Sequence, residues 1–141
     1  SYRLPSVIHP TTSTDIYGGS LYEAEDGDIN KLEQDLIMEL TALPNVRWWH
    51  RVIDSNKASF VLNGFINHYP DFIVATTSGK IVLVETKGDD RDNGDSRTKL
   101  KLGQTWAAQA GRKFKYFMTF DHNSIEGAYN LEDFAEVLRD L

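Results

Sequence analysis

Two apolar runs of the sequence, 67–77 and 80–88, carry ionisable residues that an ordinary core strand would not tolerate. Asp71 lies inside the first run, and Glu85 and Lys87 lie near the end of the second. A short Ser-Gly-Lys sequence between the runs predicts a turn that joins two strands. Because side chains alternate along a strand, Glu85 and Lys87 share one face, and Asp71 can lie across from them. We expect two carboxylates and an ammonium group to converge at the end of this hairpin, away from its turn.

Such a grouping has a specific chemical use. Two carboxylates a few ångströms apart repel each other, so one of them tends to take up a proton. A divalent cation relieves the repulsion, and hard oxygen ligands favour Mg²⁺. The ion can polarise a phosphoryl oxygen and lower the pKa of a bound water, while Lys87 can orient that water and stabilise developing charge. The grouping suits hydrolysis of a phosphodiester bond. The plainer alternative is an exposed strand end where Glu85 forms an ordinary ion pair with Lys87 or Arg91.

A helix predicted over 28–43, with Asp28 as its N-cap, adds a further acid. Its apolar residues recur at helical spacing and form one stripe, which consists of Ile29, Leu32, Leu36, Leu40 and Leu43. Projection at about 100° per residue places Glu33 inside this stripe. A carboxylate on a buried stripe is costly unless it is paired or bound to metal. Glu33 is therefore the unusual residue of the helix, unless the stripe ends at Leu40 and leaves Glu33 half exposed.

A second helix is predicted over 96–111, with Asp95 or Ser96 as its cap and Gly111 at its end. Its inward face collects the residues Leu100, Gly103, Trp106, Ala107 and Ala110. Lys99 projects onto the same face, while Lys101 and Gln104 lie to its side. This helix would therefore bring a second lysine towards the strands.

The other elements complete an order of helix, three or four strands, helix, strand and helix. Strands are predicted over 46–54, 58–62, 69–77, 80–87 and 114–120, with a tight Asn-Gly turn at 63–64. The strands before residue 88 would form an antiparallel meander. A last helix is predicted over 131–141, with Asn130 as its N-cap. Residues 1–27 are expected to be mostly irregular, with a short strand near 15–17. Because the sequence begins at Ser1 without Met, they are expected to connect to an upstream domain.

Composition limits the classes of protein that this chain can belong to. Its 141 residues predict one domain, over 28–141, and the absence of Cys excludes disulfides and thiolate metal sites. No apolar run is long enough to span a membrane and no signal peptide is evident, which together predict a cytoplasmic protein without a membrane partner. The net charge of −6 by itself speaks against a nucleic-acid partner. Residues 96–120, however, hold six bases and no acid.

The residues of the hairpin resemble a known motif. Pro70-Asp71, a spacer of thirteen residues and Glu85-Thr86-Lys87 resemble the PD-(D/E)xK nuclease motif. The wider strings HYPDFIV at 68–74 and LVETKG at 83–88 resemble the C-terminal endonuclease domain of type III restriction enzyme Res subunits. The resemblance covers roughly residues 29–120. It implies an α/β, restriction-endonuclease-like fold with an αβββαβ core, in which a mixed central sheet is flanked by helices.

The resemblance also implies roles for the three hairpin residues. Asp71 and Glu85 would bind the metal, Mg²⁺ with Mn²⁺ as a substitute, and Lys87 would be the catalytic lysine. Many members of the family add an acid from the first helix. Glu33 matches that position and would be a third metal ligand, with Glu39 as the alternative.

Further roles follow for the second helix and the basic segment. Members of the family often place a Lys or Gln on the helix after the Glu-x-Lys strand, for which Lys99 is the first choice and Gln104 the second. The basic segment would then contact DNA phosphates beside the site, through Arg97, Lys101, Gln104, Arg112 and Lys113. We expect at most a minor role for His68. The three tryptophans, Trp48, Trp49 and Trp106, are expected to serve packing.

By this resemblance the chain is a Mg²⁺-dependent DNA endonuclease domain, the cleavage module of a larger restriction enzyme. Implied partners are double-stranded DNA, a helicase/ATPase region of the same polypeptide and a methyltransferase subunit. The 141 residues contain no Gly-rich phosphate loop of their own. Two alternatives remain: a repair, recombination or transposon-end nuclease of the same fold, or a nuclease-like module that binds DNA without cutting it. Overall acidity favours the second alternative, and the presence of all three motif residues disfavours it.

Overall fold

The computed structural model describes residues 30–52, 70–88, 93–122 and 124–141. The elements are the helix α1 (Lys31–Ala42), the strands β1 (Val46–Arg51), β2 (Phe72–Thr76) and β3 (Ile81–Lys87), the helix α2 (Asn93–Ala110), the strands β4 (Phe114–Phe120) and β5 (Tyr129–Asn130), and the helix α3 (Leu131–Arg139). The described strands form one five-stranded sheet in the order β1-β2-β3-β4-β5. The α/β class with a mixed sheet and flanking helices is confirmed. Among these residues, no helix is long and apolar enough to cross a membrane.

Strand direction brings the ends of several strands to one edge of the sheet. The β1–β2 and β2–β3 pairs are antiparallel, whereas the β3–β4 and β4–β5 pairs are parallel. Phe72 lies opposite Val84, and Lys87 lies opposite Phe120. The start of β2 and the ends of β1, β3 and β4 therefore meet at one edge, which we call the upper edge. The lower edge holds the starts of β3 and β4, at Ile81 and Phe114.

The sheet separates two apolar cores. On one face, side chains of α1 and α3 pack against Phe72, Val82 and Val84. On the other face, Leu100 of α2 belongs to the core that contains Leu83. Alternation along β3 is therefore as predicted, because successive residues enter opposite cores. It follows that Glu85 and Lys87 share the face that α2 covers.

The tryptophans take part in this packing, as expected. Trp49 is fully buried and meets Phe72 edge to face, with ring centroids 6.1 Å apart. Trp106 meets Phe114 in the same manner at 5.7 Å. Trp48 is half-buried and packs against the α2 core.

The helix α1 begins later than predicted. Asn30 is its N-cap, and a capping box links it to Glu33, since each side chain accepts a hydrogen bond from the other residue's backbone N–H. Asp28, the predicted N-cap, lies outside the described residues. Leu36 and Leu40 are buried, as the apolar stripe predicted. Glu33 is buried as well, so the alternative in which it lies half exposed is wrong.

The helix α2 begins earlier than predicted. It starts at Asn93, so Ser96 lies inside the helix with a fully buried side chain, and neither Asp95 nor Ser96 is its cap. Asp95 lies in the first turn, where a carboxylate stabilises the positive end of the helix dipole. The end is as predicted, because Gly111 follows with φ of 108°. Ala110 is exposed, so its predicted place on the inward face is wrong.

The remaining predictions have mixed outcomes. The helix α3 has Asn130 as its N-cap, as predicted, with the Asn130 side chain accepting from the Asp133 N–H. The two-residue strand β5 was not predicted. The predicted segment 1–27, the strand at 58–62, the turn at 63–64 and His68 lie outside the described residues.

A close approach of α2 to β4 gives a test of this packing. A methyl group at Gly103 would overlap the Tyr116 ring. In an exposed helix Gly→Ala stabilises, by about 1 kcal/mol, whereas overpacking a core lowers the free energy of unfolding by about 1–3 kcal/mol. We expect Gly103→Ala to lower the free energy of unfolding of the protein, measured by urea unfolding. Thr105→Ala, at an exposed position of the same helix, should raise stability by no more than about 0.7 kcal/mol. A stabilised Gly103→Ala protein would contradict this packing.

Candidate active site

Asp71 is fixed at the upper edge by both its backbone and its side chain. Its N–H donates to the carbonyl oxygen of Val84 at 2.9 Å, and its carbonyl oxygen accepts from the Val52 N–H at 2.8 Å. The Oδ2 atom accepts two hydrogen bonds from Thr86, one from the backbone N–H at 2.8 Å and one from Oγ1 at 2.7 Å. The carboxylate is therefore held at the point where the β2–β3 ladder ends.

Glu85 lies next to Asp71 and is almost fully buried, with 6% of its surface exposed. Burial raises the pKa of Glu85 well above its usual value, and the charge of Asp71 and a side-chain hydrogen bond with Asp71 raise it further. The nearby ammonium groups of Lys87 and Lys99 lower the pKa of Glu85 but do not outweigh these effects. The structure thus brings the two predicted carboxylates together, and the surroundings of Glu85 favour its protonated form.

Two lysines lie against this carboxylate pair. Burial lowers the pKa of half-buried Lys87, although Glu85 acts to raise it, and proximity to Lys99 lowers it further. Burial also acts to lower the pKa of Lys99, but its hydrogen bond with Lys87 and the charges of Glu85 and Asp95 raise it above its usual value. Lys99 Nζ lies 3.4 Å from Asp95 Oδ2. The surroundings therefore favour the neutral amine at Lys87 more than at an ordinary lysine, and they favour the charged amine at Lys99.

Glu33 reaches the same edge from the start of α1. It is 3% exposed, and its two oxygens accept hydrogen bonds from the Asn30 N–H at 3.2 Å and from Arg51 Nε at 3.1 Å. Burial raises the pKa of Glu33, the charge of Asp71 raises it further, and Arg51 opposes both. Glu33 thus lies within electrostatic reach of Asp71, as expected. Glu39, the alternative acid, is exposed.

Two residues of this edge were missed by the sequence analysis. Arg51 lies two residues after Trp49 in β1, on the same face, which is the face that α1 covers. A buried acid on α1 requires a cation nearby, and that requirement could have pointed to Arg51. Tyr116 lies in β4 opposite Leu83, and its pKa is raised by burial and then by the charges of Glu85 and Asp71. It places a neutral phenol beside the two carboxylates.

The acids of this edge can be tested for their fit to Mg²⁺. The described residues contain no group of three or more His, Asp or Glu side chains arranged to hold a metal ion. Mg²⁺ is commonly bound through one or two carboxylates, with waters and substrate phosphates as its other ligands. Asp71 and Glu85 fit that pattern as a hard-oxygen pair whose repulsion a cation would relieve. Each oxygen of Glu33 accepts one hydrogen bond and keeps a second lone pair, so Glu33 could join the pair only through these remaining lone pairs, a water or a change of partner.

The predicted DNA-contact residues do not form one surface. Arg97 and Lys101 are exposed on the half of α2 that lies near Lys99 and the upper edge. Arg112 and Lys113 follow the other end of α2, where the Lys113 carbonyl oxygen accepts from the Ile81 N–H at the lower edge. A seven-residue strand such as β3 spans about 20 Å, so these two lie far from Asp71. Gln104, the second choice for an inward polar residue, is also exposed; its Nε2 lies 3.5 Å from the carbonyl oxygen of Gly127.

Comparisons of the chain with protein-family models, with curated proteins and with solved structures found no match.

The pair of Arg51 and Glu33 gives a stability prediction. Arg51→Met keeps an apolar side chain but leaves the Glu33 carboxylate buried without this partner. Since removal of one partner of a buried pair costs about 3–5 kcal/mol, and the Arg51 side chain is 18% exposed, we expect a loss of about 3 kcal/mol in the free energy of unfolding. Arg51→Met combined with Glu33→Gln should recover part of this loss.

A matched control is the exposed pair of Lys31 and Asp35 on the same helix, with Nζ and Oδ2 3.1 Å apart. Lys31→Met should change the free energy of unfolding by less than about 0.5 kcal/mol. Equal effects of Arg51→Met and Lys31→Met would show that the buried pair has no special importance.

The raised pKa of Glu85 predicts how stability depends on pH. A carboxyl whose folded pKa lies above its ordinary value of 4.5 stabilises the fold fully below that value, and this contribution is lost as pH rises through the folded pKa. Glu33 contributes with the same sign. We expect the metal-free protein to lose stability as the pH rises above the ordinary carboxyl value of 4.5, measured by urea unfolding with a chelator present. Glu85→Gln should flatten this profile, and the same slope in both proteins would contradict the assignment.

Proposed function

We propose that this chain is a Mg²⁺-dependent endonuclease domain that hydrolyses phosphodiester bonds of double-stranded DNA. The observation that supports it most is the hydrogen-bonded pair of Asp71 and Glu85 with the amines of Lys87 and Lys99 packed against it. Buried like charges are unfavourable for folding, so their collection at one edge points to chemistry. An ordinary surface ion pair of Glu85 would not require a second carboxylate, that of half-buried Asp71, beside it.

Asp71 and Glu85 would hold the metal, and Mn²⁺ would substitute for Mg²⁺. When bound, the ion supplies Lewis-acid polarisation of a phosphoryl oxygen and a lower pKa for a bound water. Lys87, with its lowered pKa, is suited to orient an attacking water and to accept a proton from it. Lys99 stays charged beside Asp95 and is suited to stabilise negative charge that develops on the phosphate.

DNA would approach along the exposed side of α2 next to the upper edge. Arg97 and Lys101 are exposed there, and each can contact a backbone phosphate. Because Arg112 and Lys113 lie at the lower edge, they would contact either no phosphate or a more distant one.

The biological setting that we propose is a cytoplasmic type III restriction enzyme, with this chain as its cleavage module. The support is the resemblance of the Pro70-Asp71 and Glu85-Thr86-Lys87 strings to the endonuclease domain of Res subunits. A helicase/ATPase region of the same polypeptide and a methyltransferase subunit would then be its partners.

The proposal predicts the loss of plasmid cleavage in three variants. Asp71→Asn and Glu85→Gln keep the side-chain shape but weaken metal binding, and Lys87→Met removes the amine. Each should slow Mg²⁺-dependent nicking of supercoiled plasmid by about 100-fold or more. Mn²⁺ should support cleavage by the wild type.

The matched control is Glu39→Gln, which removes an exposed acid from α1 and should leave cleavage unchanged. Equal cleavage by all variants would remove the site assignment. If the wild type binds DNA but neither cleaves it nor binds metal, the result would instead favour a non-catalytic, nuclease-like module.

A further inference from the structure

Thr86, between Glu85 and Lys87, makes a contact that its place in the strand does not require. Alternation places Thr86 on the face of Val84, opposite to Glu85. Its hydroxyl nevertheless lies 2.7 Å from Asp71 Oδ2. Asp71 precedes the first paired residue of β2, so its carboxylate lies at the end of the ladder and meets Thr86 as well as Glu85.

We propose that Thr86 is a positioning residue, whose hydroxyl sets the orientation of the Asp71 carboxylate for a divalent cation. This inference rests on the proposed function. Two donors of one residue hold Oδ2, and the fixed Asp71 carboxylate would then hold a cation together with Glu85. A carboxylate that is free to rotate would have to be ordered when the cation binds, whereas a fixed carboxylate is ready for it.

The side-chain hydroxyl is the part of this contact that can be removed selectively. The backbone N–H of Thr86 would still donate to Oδ2 whatever residue stood at this position, except proline. A hydrogen bond from a hydroxyl to an ionised carboxylate is stronger than one between neutral groups. Together with the backbone N–H, the hydroxyl holds the carboxylate from a second direction. Thr86→Val removes the hydroxyl and keeps the branched shape, while Thr86→Ser keeps the hydroxyl and removes the methyl group.

Thr119 is the matched control. It lies opposite Thr86 in the parallel β3–β4 register, and it is fully buried. Its hydroxyl has no hydrogen-bond partner within the described part of the chain. Thr119→Val therefore makes the same chemical change on the neighbouring strand without touching Asp71.

The experiment is calorimetric titration of the whole chain with Mn²⁺, without DNA, for the wild type and the three variants. Since loss of a partner behind a metal ligand weakens binding by about 10-fold to 100-fold, Thr86→Val should raise the Mn²⁺ dissociation constant by that factor. Thr86→Ser and Thr119→Val should bind as the wild type does. In plasmid nicking, Thr86→Val should need more Mn²⁺ for half-maximal rate, with little change in the rate at saturation.

Each contrary result has a distinct meaning. Wild-type affinity in Thr86→Val would overturn the positioning role and leave the proposed function standing. Weak binding by Thr86→Ser, or an equal loss in Thr119→Val, would assign the effect to packing and would overturn the role as well. A wild-type protein that binds no Mn²⁺ and cuts no plasmid would overturn both the role and the proposed function.

Discussion

The upper edge depends on one constraint, which is that two carboxyl groups are held together where a buried sheet ends. Asp71 cannot move away, because its backbone is bonded to Val84 and its side chain to Thr86. Glu85 cannot move away either, because it lies between those two residues in β3. The fold therefore holds together two carboxyl groups whose charges repel each other, and it raises the pKa of Glu85. A divalent ion would supply the charge that the pair lacks, which is the basis of the proposed cation binding.

The other charged groups of this edge come from separate helices and strands, and they offset the repulsion between the two carboxyl groups. The sign of the charge alternates from one set of interacting groups to the next. In that order they are the base Arg51, the acids Glu33, Asp71 and Glu85, the bases Lys87 and Lys99, and the acid Asp95. Such an arrangement contributes little to stability, because taking charges out of water costs about as much as their attraction returns. Stability must come instead from the two apolar cores on either side of the sheet. The cores thus hold an edge that would not assemble by itself.

Local patterns predicted what depends on local spacing. Helical projection placed Glu33 on the apolar stripe but left open whether it was half exposed, and the structure shows it buried. The shared face of Glu85 and Lys87 followed from strand alternation. The contact of Arg51 with Glu33 depends on how α1 crosses β1, which spacing along the chain does not encode. The start of α2 was misplaced, because Asn-Gly-Asp at 93–95 consists of poor helix formers that the fold nevertheless keeps helical. The strand β5, with two residues, is too short to show any period.

The basic segment shows why proximity in sequence is a poor guide to a binding surface. Its bases are neighbours along the chain, but α2 has 18 residues and spans about 27 Å, so its two ends serve different edges of the sheet. Arg97 and Lys101 are one helical turn apart and share an exposed side of the upper half of α2, whereas Lys99 lies on the side that faces the sheet. In the proposed DNA complex this local pair would matter more to a phosphate than the net charge of −6, because charges are screened beyond about 8 Å at physiological salt. An acidic domain can therefore present a basic approach to an acidic site, provided that the bases lie at the edge where Asp71 and Glu85 meet.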